Sequence, residues 1–155
     1  MTDQPAPAPG DARPIDVLLV DDNEQNLELL QAYLEDLPGH VRVARDGLEA
    51  MAQVYHQRPD IILLDVMMPR MSGFQVCEKI KKDPALKDLP IIIVTALNES
   101  ADVERAVELG ADDFLTKPVN KLELLTRVRS LARVAELQRQ LNATLAELKK
   151  IAGGR

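Results

Sequence analysis

Side chains with chemistry stand directly after short apolar runs in this sequence. Asp21 and Asp22 follow IDVLLV (15–20), and Asp65 follows IILL (61–64). Thr95 and Ala96 follow IIIV (91–94), and Lys117 and Pro118 follow FLT (114–116). Runs of this kind usually end in turn residues such as Gly, Asn or Ser, so carboxylates at two such ends need a reason. Three carboxylates brought together disfavour one another's ionisation. A hard cation relieves that repulsion, and an all-oxygen donor set selects Mg²⁺ over softer metals. His40 and His56 lie away from these run ends, so no zinc site is expected. The first run leads into DDNEQN rather than a glycine-rich loop. A phosphate held here would therefore be neutralised by the metal and by Lys117, not by a row of backbone N–H groups. A carboxylate beside Mg²⁺, with a hydroxyl and an ammonium opposite, suits attack on phosphorus to give an aspartyl phosphate. Asp65 is the expected nucleophile because it stands alone on its run, whereas the adjacent pair Asp21-Asp22 suits metal binding. Each residue alone has a plain structural reading: a helix cap before Asn23, a Lys-Pro turn, an ordinary strand Thr. Their joint placement at the ends of four runs is what points to a site.

The elements that must position these residues follow from periodicity. The four runs above and VRVA (41–44) are short and rich in β-branched residues, as strands are. Three are apolar at nearly every position, the pattern of parallel strands buried on both faces. Helical spacing separates them: Leu27, Leu30, Leu34 and Leu37; then Leu48, Met51, Ala52 and Tyr55; then Phe74, Cys77 and Ile80; then Val103, Ala106 and Val107, closed by Gly110. A fifth helix begins near Asn120. Strand-helix alternation repeated five times predicts an α/β fold with a parallel sheet and right-handed crossovers. In such folds ligands gather at the carboxyl ends of the strands, where the chemical residues stand.

Bulk properties narrow the class. The chain of 155 residues suffices for one domain with a real core. Its single cysteine, Cys77, excludes an internal disulfide and reads as a small core hydrophobe. No apolar run approaches the roughly 18 residues of a membrane span. The start, MTDQPAPAPGDARP, lacks the features of a signal peptide and reads as a disordered Pro/Ala-rich arm over residues 1–14. A cytoplasmic chain without a membrane partner is expected. Residues 127–155 carry seven Lys/Arg and two Glu, while the rest holds twelve basic and twenty-three acidic groups. An acidic body argues against nucleic-acid binding, which needs basic surface to displace counterions. The basic tail, without aromatic or recognition motifs, reads as a solvated helix face.

Four motifs, VLLVDDN (17–23), ILLDVMMPRMSG (62–73), IIIVTAL (91–97) and GADDFLTKPV (110–119), resemble the receiver domain of bacterial two-component response regulators. The resemblance spans about residues 15–131 and implies a flavodoxin-like (βα)5 fold, a doubly wound parallel five-stranded sheet. It makes Asp65 the phosphoacceptor for a histidine kinase or phosphotransfer protein. It makes Asp22 the principal Mg²⁺ ligand, with Asp21 nearby and Met67 offering its backbone carbonyl. Thr95, with Ala96 after it, and Lys117 would bind phosphoryl oxygens, and Pro118 would follow a cis bond. Phe114 falls where the family has a switch aromatic; lacking a hydroxyl, it would move by packing alone. Met67 and Leu97, two positions after Asp65 and Thr95, are bulky and apolar, which implies a slowly hydrolysing phosphoryl group. No enzymatic activity beyond the chain's own phosphorylation and dephosphorylation is implied. A haloacid-dehalogenase-type aspartyl-phosphate phosphatase is the enzyme alternative, but Met67 stands where that class needs a second Asp. A flavodoxin-like cofactor binder would need a phosphate loop in place of DDNEQN.

Beyond residue 131 the sequence continues as a helix-forming stretch without Pro or Gly until Gly153. Residues 132–155 read as a coiled-coil extension or linker. Two heptad registers compete. The first uses Leu131, Val134, Gln138, Leu141, Leu145 and Leu148; the second uses Val134, Leu137, Leu141, Thr144, Leu148 and Ile151. Three heptads are marginal alone, so a partner helix is expected. With the family's habit of dimerising through helix four, strand five and helix five, this implies a parallel homodimer whose seam includes Val134, Leu137, Leu141, Leu145 and Leu148. The stretch also resembles linkers that lead into output domains, so the chain would equally serve as the regulatory part of a larger response regulator, for example a cyclic-dinucleotide enzyme.

Overall fold

The computed structural model describes residues 14–96 and 100–153, apart from the Ser100 side chain. The arm expected before residue 14 and the role assigned to Leu97 lie outside the described residues. Five strands alternate with five helices: β1 (Ile15–Val20), α1 (Glu24–Leu34), β2 (Gly39–Ala44), α2 (Gly47–His56), β3 (Ile61–Asp65), α3 (Gly73–Lys82), β4 (Ile91–Thr95), α4 (Ser100–Glu108), β5 (Asp113–Thr116) and α5 (Lys121–Gly153). The strands form one sheet in the order β2-β1-β3-β4-β5, every pairing parallel. That order is the flavodoxin-like doubly wound one, with its switch point between β1 and β3.

The three strands that read as continuously apolar are the central ones. Side chains alternate across the sheet, so each strand feeds both cores. Leu18, Val20, Ile62, Leu64, Ile91 and Ile93 point to the side covered by α2, α3 and α4. Val17, Leu19, Ile61, Leu63, Ile92 and Val94 point to the side covered by α1 and α5. Cys77 is buried among the former, as its spacing suggested.

Two helix faces differ from the periodic reading. On α2 the buried residues are Gly47, Ala50 and Val54, while Leu48 and Tyr55 are exposed. Both stripes have helical spacing, but the sheet side takes the smaller residues because α2 packs tightly there. A Cβ added at Gly47 would lie 2.7 Å from Met71 Cβ. Among the described side chains of α4 only Ala106 is buried, and Val107 is exposed. The helix is also held by Arg105, whose guanidinium lies 5.2 Å from the centre of the Phe74 ring. Gly110, at φ +88°, closes α4 as a left-handed cap, with its N–H bonded to the Val107 carbonyl.

The last helix runs unbroken through residues 131 and 132. Leu124, Leu125 and Val128 are buried, Leu131 and Ala132 are half-buried against the core, and residues 137–153 are exposed.

Candidate phosphoacceptor site

Strand register builds the site one step at a time. Val20 pairs with Leu64, which sets Asp21 level with Asp65 on the neighbouring strand. Asp65 pairs with Val94, so Thr95 stands one residue beyond it. Thr95 pairs with Thr116, and Lys117 follows, its N–H bonded to the Thr95 carbonyl at 2.8 Å. Asp21, Asp65 and Thr95 are buried, whereas Asp22 is exposed. The carboxylates of Asp21, Asp22 and Asp65 offer oxygens that all lie within 4.8 Å of one another.

The helix-cap and ligand readings of the first motif are divided between neighbours. Asn23 caps α1 by accepting from the Asn26 N–H at 3.1 Å. Asp21 accepts from the Asn23 N–H at 2.9 Å, which fixes one of its oxygens. Capping therefore falls to Asn23 and leaves Asp22 at the solvent side of the cluster.

Lys117 binds the cluster from the fifth strand's end. Its Nζ lies 3.1 Å from Asp65 Oδ1 and 3.2 Å from Asp21 Oδ2. Burial pushes the Asp65 pKa above the usual carboxylate value, and Asp21 adds to the rise; the Lys117 hydrogen bond opposes it without cancelling it. Burial lowers the Lys117 pKa, but its hydrogen bond to Asp65 and the charges of Asp65 and Asp21 outweigh this and hold it above the ordinary value. Lys117 pairs with two of the three carboxylates, so the cluster keeps an excess of negative charge. All donors are oxygens, so the set fits a hard divalent cation.

The loop after Asp65 is shaped by features that motif reading passed over. Arg70 adopts φ +68°, uncommon for a residue with a Cβ. Ser72 and Gln75 form a reciprocal capping box at the start of α3. Gly73 donates to the Val66 carbonyl at 3.0 Å, and a Cβ there would lie 2.1 Å from the Asp65 carbonyl oxygen. Glycine in the first turn of a helix, where better helix formers abound, was the available sign of this close approach.

The remaining expected residues are placed as follows. Met67, two residues after Asp65, is 66% exposed. The Lys117–Pro118 peptide is cis. Phe114, on β5, is 37% exposed and so is not a closed core residue. Ala96 is exposed directly after Thr95. Val134, Leu137, Leu141, Leu145 and Leu148 are all exposed, far along the chain from the carboxylates.

Residues 17–129 match the response regulator receiver domain. The chain belongs to that family. The chain is 46% identical over 140 residues to the response regulator PleD of Caulobacter vibrioides, an alignment covering 88% of this chain and 31% of PleD. It therefore spans about a third of that relative's length. Among solved structures it resembles a putative response regulator from Chloroflexus aurantiacus, with TM-score 0.75 and 34% identity, over 78% of this chain and 99% of the other. It also resembles the Mn²⁺-bound form of the response regulator Rcp1, with TM-score 0.66 and 33% identity, over 76% of this chain and 91% of the other. Receiver domains act in two-component signalling with histidine kinases or phosphotransfer proteins, and their acidic pocket binds a divalent cation. Among the described residues, no helix is long and apolar enough to cross a membrane.

Proposed function

We propose that Asp65 accepts a phosphoryl group from a histidine kinase or phosphotransfer protein, and that the receiver converts this change into a new arrangement of its last helix. The observation that supports this is the cluster of three carboxylates at the ends of β1 and β3, two of them paired with the ammonium that follows β5. An ionised Asp65 oxygen attacks the phosphorus of a phosphohistidine. The P–N bond breaks, and its electron pair leaves with the imidazole nitrogen. Burial raises the basicity of Asp65, which strengthens it as a nucleophile once it is ionised. Lys117, already 3.1 Å from Asp65, transfers its hydrogen bond to a phosphoryl oxygen. Thr95, aided by Ala96, takes another oxygen from the far side. Asp21, Asp22, Asp65 and the Met67 carbonyl would hold Mg²⁺, which when bound neutralises phosphoryl charge.

Phosphorylation adds about −1.5 to −2 of charge at one end of β3. Drawing Thr95 and Lys117 toward that charge affects α4, which buries little, and leaves room for Phe114 to turn inward. The α4, β5 and α5 surface with the exposed seam of α5 then joins two copies in a parallel homodimer. The receiver acts on no other substrate; in a longer protein the same switch would regulate a further domain.

Incubation with acetyl phosphate and Mg²⁺ followed by intact mass tests the site. The expected result is one added phosphoryl group, lost in Asp65→Asn. No gain, or a gain retained in that variant, overturns the assignment.

A further inference from the structure

The last helix is tied to the receiver at the end of the sheet opposite the phosphoacceptor. Asp60, just before β3, accepts from the Asp16 N–H at 2.8 Å through one oxygen. Its other oxygen lies 3.4 Å from the guanidinium of Arg139, which is 79 residues away in the chain. Glu136, one turn back on the helix, holds the same guanidinium at 2.8 Å and aims it. Next to this pair lies a cleft of about 300 Å³ lined by Pro59 and Pro90 on the sheet side, and by Ala135, Gln138 and Asn142 on the helix.

These contacts decide which helix face is free. Ala135, Gln138, Arg139 and Asn142 continue the face of Leu124, Val128 and Leu131, by steps of three and four residues. The first heptad register needs Leu131 and Gln138 on its seam. Leu131 packs against the core, and Gln138 lines the cleft. The second register, Val134, Leu137, Leu141, Thr144, Leu148 and Ile151, lies on roughly the opposite side of the helix and is exposed throughout.

We infer that the Asp60–Arg139 pair is a latch that selects the second register for pairing with a second copy of this chain, and that opening it admits the first. The inference rests on the dimer reading above. A second copy is the fitting occupant because no charged residue stands at any of the six seam positions. In a parallel pair the flanking positions place Arg133 against Gln138, Gln140 against Leu145, and Glu147 against Ala152, so no like charges meet. The latch therefore separates two pairings that the helix sequence alone leaves balanced.

Disulfide cross-linking of the full chain tests this, with Leu137→Cys reporting the second register and Leu145→Cys the first. Cys77 does not interfere, since it is buried and its thiol is pushed up to about 11. With the latch intact, position 137 should cross-link in preference to 145. Arg139→Gln, or Asp60→Asn (which keeps an acceptor for the Asp16 N–H), should shift that ratio toward 145 by about two- to fivefold, the range a partly exposed ion pair supports. A dimer with an unchanged ratio, or with no homotypic disulfide at either position, overturns the latch alone. A monomer by light scattering at all concentrations overturns the dimer reading and the latch together.

Discussion

The two ends of the sheet carry similar residues and use them in opposite ways. At the carboxyl end, Asp21, Asp22 and Asp65 crowd together, and the single ammonium of Lys117 pairs with only two of them, Asp21 and Asp65. At the amino end, Asp16 and Asp60 each have their own guanidinium. Arg42 grips both oxygens of Asp16 at 3.1 Å, and Arg139 reaches Asp60. One end leaves negative charge unbalanced and buried; the other neutralises it pair by pair near the surface. Unbalanced buried charge raises pKa values and attracts cations, so it suits chemistry. Balanced surface charge contributes little to stability but fixes geometry. Composition alone does not separate functional from structural aspartates. The ratio of carboxylates to cations around each one does.

The largest expected effect falls at the crowded end. Asp22→Ala removes the exposed member of the cluster without touching the α1 cap, which belongs to Asn23. Mg²⁺-dependent labelling by acetyl phosphate should drop by about 100-fold or more, as expected when the cation that neutralises phosphoryl charge loses a ligand. Circular dichroism should remain that of the folded domain. Asp16→Asn at the other end should label normally. Comparable labelling of the two variants would erase the distinction between the ends.

A smaller effect concerns pH. Asp65 has a folded-state pKa above its ordinary value, so the folded chain retains a proton that the unfolded chain has released in the window between the two. Its contribution to stability is full below the ordinary carboxylate pKa and is lost as pH rises through the raised one. In chelator, Asp65→Asn should remove that downward slope and melt higher than the parent at neutral pH by about 2–6 °C. An Asn variant that melts at or below the parent at neutral pH would show that Lys117 fully compensates the buried charge.

The smallest effect belongs to the paired end. Arg42 and Asp16 are both partly exposed, so Arg42→Ala should lower stability by no more than about 1 kcal/mol in urea denaturation, with labelling unchanged. A loss several times larger would mean that the amino end carries buried-charge energetics like the carboxyl end.

Much of the site was legible because a parallel sheet converts linear spacing into spatial adjacency. Each apolar run ends at the same rim, so the residues after Val20, Leu64, Val94 and Thr116 had to become neighbours. The Gly73 approach to the Asp65 carbonyl was less legible, since a glycine in a loop motif has many explanations. Helix faces were the least legible. Leu48 and Tyr55 have the same spacing as a buried stripe, yet α2 turns Gly47, Ala50 and Val54 inward.

The sequence by itself determined the strand count, the parallel sheet and the identity of the carboxylate, hydroxyl and ammonium residues at its rim. Those properties follow from local composition and from the order of runs along the chain. Only the tertiary structure decided that Asn23 caps the first helix while Asp22 faces solvent, that Lys117 bridges two of the three carboxylates, and that Arg139 meets Asp60 across 79 residues. The first depends on the backbone geometry at the start of α1, and the other two on distances between segments far apart in the chain. A heptad pattern states which side chains repeat, but not which helix face the rest of the fold has already covered.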